Sequence, residues 1–223
     1  MLGTAPLETH REPLASGAVE RWQPPPLGLD PWLVLRLARY RRREAVEPAI
    51  REAAEAMAAR AATLVEPRAL LAALPVAAAG PTGARLLAGP TFSGRAVGRL
   101  LDGCSLAVAF VLTVGPRLEA AVAALAERRE LLEAFLLDTA GWAAIETAVR
   151  ALRQDLRARA RARGFRVSHR LAPGYADWPL EEQRDLLGAL ADGGGLVRLT
   201  EHGVLVPFKS VSGLFGLAPS SST

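Results

Sequence analysis

The side chains that most often carry chemistry are few in this chain and poorly spaced for it. Histidine occurs at His10, His169 and His202, and no two stand at the separation that would offer both imidazoles to one metal ion. Cys104 is the only cysteine, which excludes an intrachain disulfide and any cysteine cluster for zinc or iron–sulfur. It lies in the apolar run Cys104–Leu112 and reads as a small buried hydrophobe rather than a reactive thiol. Lys209 is the only lysine. Nothing near it suggests a carbonyl substrate, so it reads as electrostatic or structural rather than as a Schiff-base former. There is no P-loop, no nucleophile elbow and no GxGxxG after a strand. The glycine-rich stretch 80–89 has the wrong spacing, which argues against a Rossmann-type methyltransferase. Any reaction this chain takes part in must draw its reactivity from a cofactor or a partner.

The elements that could position a site follow from composition and periodicity. Of 223 residues 50% are hydrophobic, enough for one large domain with its own core. Aromatics are scarce and alanine is abundant, which points to helices packed through small side chains. The net charge of +4 comes from arginines interleaved with acidic residues. No basic stripe alternates with aromatics, so nucleic acid is not the expected partner. The N-terminus lacks a signal peptide pattern, and no apolar stretch reaches the roughly 18 residues of a membrane span. The expected setting is the cytoplasm, with no membrane partner.

Residues 1–30, with Gln23-Pro24-Pro25-Pro26, read as a Pro-rich extended arm. A short helix is expected over Pro31–Arg39, an amphipathic helix over Glu44–Leu64 with Glu47 paired to Arg51, and a second, shorter helical stretch over Glu66–Leu74. Gly80-Pro81-Thr82-Gly83 breaks the chain. Ser93 is expected to cap a helix ending near Leu101. Cys104–Leu112 predicts a strand buried on both faces. Helices are expected over Arg117–Glu127 and Leu131–Arg161, the latter with Phe135, Ile145, Val149, Leu152 and Leu156 on its core face. Phe165–Leu171 alternates like a strand, and a helix follows Pro179. Strands are expected at Leu196–Thr200, Val204–Phe208 and Ser210–Leu217. The fold class is α+β: a small, mostly antiparallel sheet flanked by several helices.

Two C-terminal clusters carry a family pattern. One is His169-Arg170-Leu171-Ala172-Pro173-Gly174-Tyr175, followed by Trp178-Pro179 and Gln183. The other is Leu199-Thr200-Glu201, then Pro207, then Lys209-Ser210-Val211-Ser212-Gly213. Together they resemble the activation domain of vitamin B12-dependent methionine synthase, and the whole chain is similar to the small, free-standing bacterial version of it. Thr113–Glu119 resembles that family's Thr-x-Gly-x-x-x-Glu step. Leu137-Asp138-Thr139-Ala140-Gly141 with Glu146 resembles its next segment. The likeness covers about residues 30–218. It implies an activation domain over 31–218, preceded by the arm and followed by a tail at 219–223.

The resemblance implies an S-adenosylmethionine-binding module that acts in trans on a cobalamin-dependent methionine synthase. Together with an unidentified electron donor it would support reductive methylation of cob(II)alamin, carried by the partner, to methylcobalamin. The module would be a component of a methyltransferase, with no complete active site and no catalytic residue of its own. The alternative is a docking or reactivation module for another corrinoid methyltransferase that does not use S-adenosylmethionine. By the same resemblance Arg170 holds the ligand carboxylate, for which a guanidinium fork is suited. Ala172, Pro173 and Gly174 form a small-residue turn that backbone and ligand can approach closely. Tyr175 offers a ring face to the sulfonium, and Glu146 balances the ligand's positive charge. Asp138 is a less certain counterpart of Glu146, because it could also serve as a cap. Ser210, Val211, Ser212 and Gly213 place backbone groups and hydroxyls beside the adenosine or the Tyr175 turn. The segment Ala176-Asp177-Trp178-Pro179 lacks the cysteine of longer family members, and the chain lacks their C-terminal tail, which leaves ribose recognition unassigned.

Overall fold

The computed structural model describes residues 17–220. Its centre is a seven-stranded antiparallel sheet in which β1 (Val19–Trp22), β2 (Arg68–Gly80), β3 (Gly83–Leu86), β4 (Thr91–Ser93) and β5 (Leu106–Thr113) are joined by β6 (Phe165–Val167) and β9 (Ser210–Pro219). The order is β4-β3-β2-β5-β9-β6, with β1 also paired to β2. A separate hairpin consists of β7 (Arg198–Leu199) and β8 (Leu205–Val206). The expected α+β class is observed.

Helices cover both faces. On one side lies α5 (Leu131–Arg161), whose Ile145, Ala148, Leu152 and Leu156 meet Phe110, Phe215 and Leu217 of the sheet. Outside it sit α1 (Pro31–Leu37), α2 (Pro48–Leu64) and α4 (Arg117–Glu127), which form a further core with Leu136, Leu137 and Ala140. Buried on two sides, α5 is the structural axis of the molecule. On the opposite face α3 (Arg95–Leu101), α6 (Gln183–Gly188) and the β7–β8 hairpin enclose Phe92, Trp178, Leu186 and Leu214.

Several expectations change, each for a local reason. From Arg68 the segment Glu66–Leu74 is strand rather than helix: β2 pairs with β5 on one edge and with β1 and β3 on the other, and its Leu/Ala run alternates between the two helix-covered faces of the sheet, so both are buried. The helix expected from Glu44 starts at Pro48, because proline cannot donate within a helix and suits its first turn. Arg51 then donates to the Val46 carbonyl at 3.3 Å instead of pairing with Glu47. The last expected helix is a 3₁₀ turn at Leu180–Glu182 followed by α6. Phe135 is exposed rather than in the core. Ser93 does not cap α3; Gly94 stands at the cap, and Asp177 takes up the first helical amides. Helices α4 and α5 have the expected bounds.

The Pro-rich stretch is extended where it is described, and it is tied down. Its Val19–Trp22 pairs with Ala69–Ala72, Trp22 is buried, and Glu20 takes a two-pronged ion pair from Arg159 of α5 at 2.8 and 2.6 Å. His10, and the tip of that arm before residue 17, lie outside the described residues, as do residues 221–223 of the tail.

Candidate functional site

The site grows from the place where β6 stops pairing. After Val167 the chain leaves β9 and touches it once more, through the Leu171–Leu214 bridge, with Leu171 N–H to Leu214 O at 3.1 Å and Leu214 N–H to Leu171 O at 2.8 Å. A Cβ at position 213 would lie 2.3 Å from the Leu171 carbonyl oxygen, so only glycine permits this approach. Arg170 and Ala172 thereby flank a fixed point on β9. The turn that follows is closed by Tyr175 N–H to Ala172 O at 3.2 Å and Gly174 N–H to Trp178 O at 2.9 Å.

Arg170 points toward α5. Its Nη2 lies 3.5 Å from Oε1 of Glu146, the outer limit of a hydrogen bond, while its Nη1 is buried and makes no hydrogen bond among the described residues. A buried guanidinium N–H without an acceptor is costly unless something else supplies one. Ala172 and Pro173 are buried, whereas Tyr175 is 65% exposed.

The far side of the turn is pinned to the β4–α3 corner. The Asp177 carboxylate accepts the Arg95 and Ala96 amides, both at 2.9 Å. Those two bonds, Ala96 first, hold its carboxyl below the ordinary aspartate range. Glu182 accepts from the Ser93 amide at 2.9 Å, from the Ser93 hydroxyl, and from Trp178 Nε1 at 2.9 Å. The turn is thus held from both ends before any ligand arrives.

Strand β9 divides the remaining expected residues between the two faces of the sheet. Val211 and Gly213 share the α5 face with Arg170 and Glu146. The hydroxyls of Ser210 and Ser212 are engaged elsewhere, donating to the Pro207 carbonyl at 2.6 Å and to Gln183 Oε1 at 2.9 Å. The antiparallel alternation that pairs Leu214 with Leu171 aims the Ser212 amide and carbonyl at the same edge.

Two turns of α5 before Glu146 lies a second ion pair. Lys209 Nζ is 2.7 Å from Asp138 Oδ1, and lies 4.5 Å and 5.1 Å from the ring centres of Trp142 and Phe208. The lysine amide donates to Glu119 Oε1 at 2.8 Å, which joins the Thr113–Glu119 segment to the start of β9. A Cβ on Gly141 would lie 2.8 Å from Leu118 Cδ2 and 3.0 Å from Lys209 Cε, so glycine makes room for both α4 and the lysine. Sequence reasoning missed Trp142, Phe208, Asp177 and Glu182. Only the isolated lysine next to an aromatic hinted at any of them. His169 and His202 are exposed, and among the described residues no cluster of metal-ligating side chains occurs.

Comparison with known proteins places this architecture in a class. No family model matches the chain, and no curated protein does. Solved structures do match it, and they define the fold as that of a methionine synthase reactivation domain. The structure in question is the MetH reactivation domain bound to AdoHcy, with a TM-score of 0.65 and 14% identity, covering 95% of this chain and 82% of that one. At that identity the likeness establishes the fold.

Proposed function

We propose that this chain binds S-adenosylmethionine through residues 31–218 and reactivates, in trans, a cobalamin-dependent methionine synthase in the cytoplasm, as part of methionine biosynthesis. The observation that carries this reading is Arg170: a fixed guanidinium with one buried N–H lacking an acceptor, at the head of a preformed small-residue turn. A carboxylate is the acceptor such a fork fits. The neighbouring Glu146, 48% exposed, can pair with the ligand's ammonium or sulfonium. Tyr175 stands free to lay its ring on the same ligand. Ala172, Pro173 and Gly174 leave room for backbone contacts, and Val211–Gly213 border them on β9. The reactivation domain that shares this fold was crystallised bound to AdoHcy, which supports the same ligand class here.

Reductive methylation of the partner's cob(II)alamin would take one electron and the methyl group of S-adenosylmethionine, giving methylcobalamin and S-adenosylhomocysteine as the leaving group. No proton has to move, so a site without acid–base residues suffices. This chain's residues hold the donor by its carboxylate and amine and orient its methyl group outward, which is catalysis by positioning. The cobalamin belongs to the partner protein, and the electron to a separate donor. Among the described residues no helix is long and apolar enough to cross a membrane, in keeping with a partner met in solution.

Isothermal titration with S-adenosylmethionine tests the reading. Binding that weakens roughly 30-fold in Arg170→Ala is the expected result. Absence of binding to the wild-type chain, with cobalamin-loaded methionine synthase present, overturns it.

A further inference from the structure

Helix α5 is about 45 Å long at 1.5 Å per residue, and one of its faces carries exposed side chains from its first turn to its last, interrupted by the buried Thr139, Val149 and Ala160. Leu131, Phe135 and Trp142 stand exposed in its first half, Glu146 at its middle, and Arg150, Arg157 and Arg161 in its second half. Successive separations of four or seven residues keep all of them on one stripe. Leu131 is 67% and Phe135 53% exposed and belong to no core among the described residues, while Trp142, 38% exposed, packs edge-on against Phe208. The three arginines make no ion pair among the described residues, in contrast to Arg159 on a neighbouring face, which is bonded to Glu20. Arg153 lies on the same stripe, and its Nε donates to the Ser168 carbonyl at 2.9 Å, so the cationic half abuts the strand that leads into Arg170. Burial first, and the adjacent Arg157 charge second, push the Arg153 guanidinium below its ordinary value.

An apolar ridge beside a charged flank, on one rigid element, has the composition of a protein interface. We infer that this face of α5 docks an acidic protein surface, carried by the corrinoid-bearing partner, with Glu146 and Arg170 enclosed at its centre. The inference rests on the functional reading above for the partner's identity, and on the stripe itself for its chemistry. Uncompensated arginines select acidic side chains and speed encounter with them. Nucleic acid fits less well. The arginines occupy only half of the stripe, its other half offers no cation to a phosphate chain, and Glu146 would repel one.

The test uses the full chain and purified, cobalamin-loaded methionine synthase as the probe. Affinity is measured at low and at physiological salt for wild type, for R150E/R157E/R161E and for the neutral R150Q/R157Q/R161Q. Arg153 stays unchanged because it bonds the backbone. The charge reversal is expected to weaken the complex by about tenfold or more at low salt, the neutral variant by less, and both differences should shrink as salt screens the pairs. S-adenosylmethionine binding should be the same in all three. Equal affinity for the synthase across the variants overturns the inference, as does no measurable complex with wild type. So does tighter binding of a mixed-sequence DNA duplex that the charge reversal abolishes. Failure of wild type to bind S-adenosylmethionine counts against the functional reading instead, so the two failures are distinguishable.

Discussion

Two cation–carboxylate pairs sit on the same helix, two turns apart, and they are built differently. In the Lys209–Asp138 pair the contact is 2.7 Å, the lysine side chain is 2% exposed, and two aromatic rings flank the ammonium. In the Arg170–Glu146 pair the contact is 3.5 Å, the arginine side chain is 25% exposed, and one guanidinium nitrogen is buried without an acceptor. The first pair is satisfied within the chain and fastens the start of β9 to α5. The second is not satisfied among the described residues. From the sequence Lys209 reads as electrostatic or structural and Arg170 as the ligand-holding cation, and the physical difference between the pairs lies in hydrogen-bond completeness.

The sharpest way to break this comparison is to remove each partner of the buried pair in turn. Asp138→Ala leaves a buried ammonium unpaired and should destabilise the fold by about 3 kcal/mol, the low end for breaking a buried pair, because the rings still face the cation. Lys209→Met should cost less, about 1 kcal/mol, since Asp138 is 44% exposed and can rehydrate while methionine keeps the apolar stem packed. Chemical denaturation of the two variants checks the order. If both cost the same, the lysine is not the desolvated partner.

Arg170→Ala tests the other pair. Its effect on stability should stay below about 1 kcal/mol, because the pair is long and partly solvated. Its effect on S-adenosylmethionine affinity should be about 2 kcal/mol, roughly 30-fold, for the loss of a charged hydrogen bond. Glu146→Gln should leave stability within about 0.5 kcal/mol and weaken the ligand by less than Arg170→Ala does, because the amide keeps a hydrogen-bond acceptor. A Glu146 variant that unfolds, or an Arg170 variant that binds normally, would reverse the assignment of roles between the two pairs.

How much of this was legible beforehand depends on how far apart in the chain the deciding partners lie. Helices α4 and α5 were readable to the residue, because their apolar spacing, the Gly115-Pro116 start and the arginine-rich end are local signals. Strand β2 was not. An Ala/Leu run in a two-faced central strand has no period of its own, and its burial is decided by β5 and β1. The Arg170–Tyr175 turn was legible as a motif, and Glu146 as its companion by resemblance. The Lys209–Asp138 contact spans 71 positions and the Asp177 contacts with α3 span more than 80, so nothing in either neighbourhood announces them. The hydroxyl partners of Ser210 and Ser212, the Pro207 carbonyl and Gln183, were likewise not announced by the residues around them.

The smallest expected effect concerns the anchor of the binding turn, and it has a definite sign in pH. Asp177 is held below the ordinary aspartate range by the amides of Ala96 and Arg95. A carboxylate whose folded value is depressed binds fewer protons folded than unfolded over that interval. Its contribution is fully present above the ordinary aspartate range and is lost as pH falls through the lowered value. Hydrogen exchange at the Arg95 and Ala96 amides should therefore lose protection on acidification, beyond what the intrinsic exchange rate explains, while the Lys209 amide on Glu119 keeps its own profile. Asp177→Asn should flatten that dependence and leave the turn less protected at neutral pH, since an amide oxygen is a weaker acceptor for two N–H groups than a carboxylate. Because the group is at the surface, the change should show in the turn and in ligand affinity before it shows in global unfolding. An identical pH profile in wild type and Asp177→Asn would mean that the turn is held by Glu182 and the Leu171–Leu214 bridge alone.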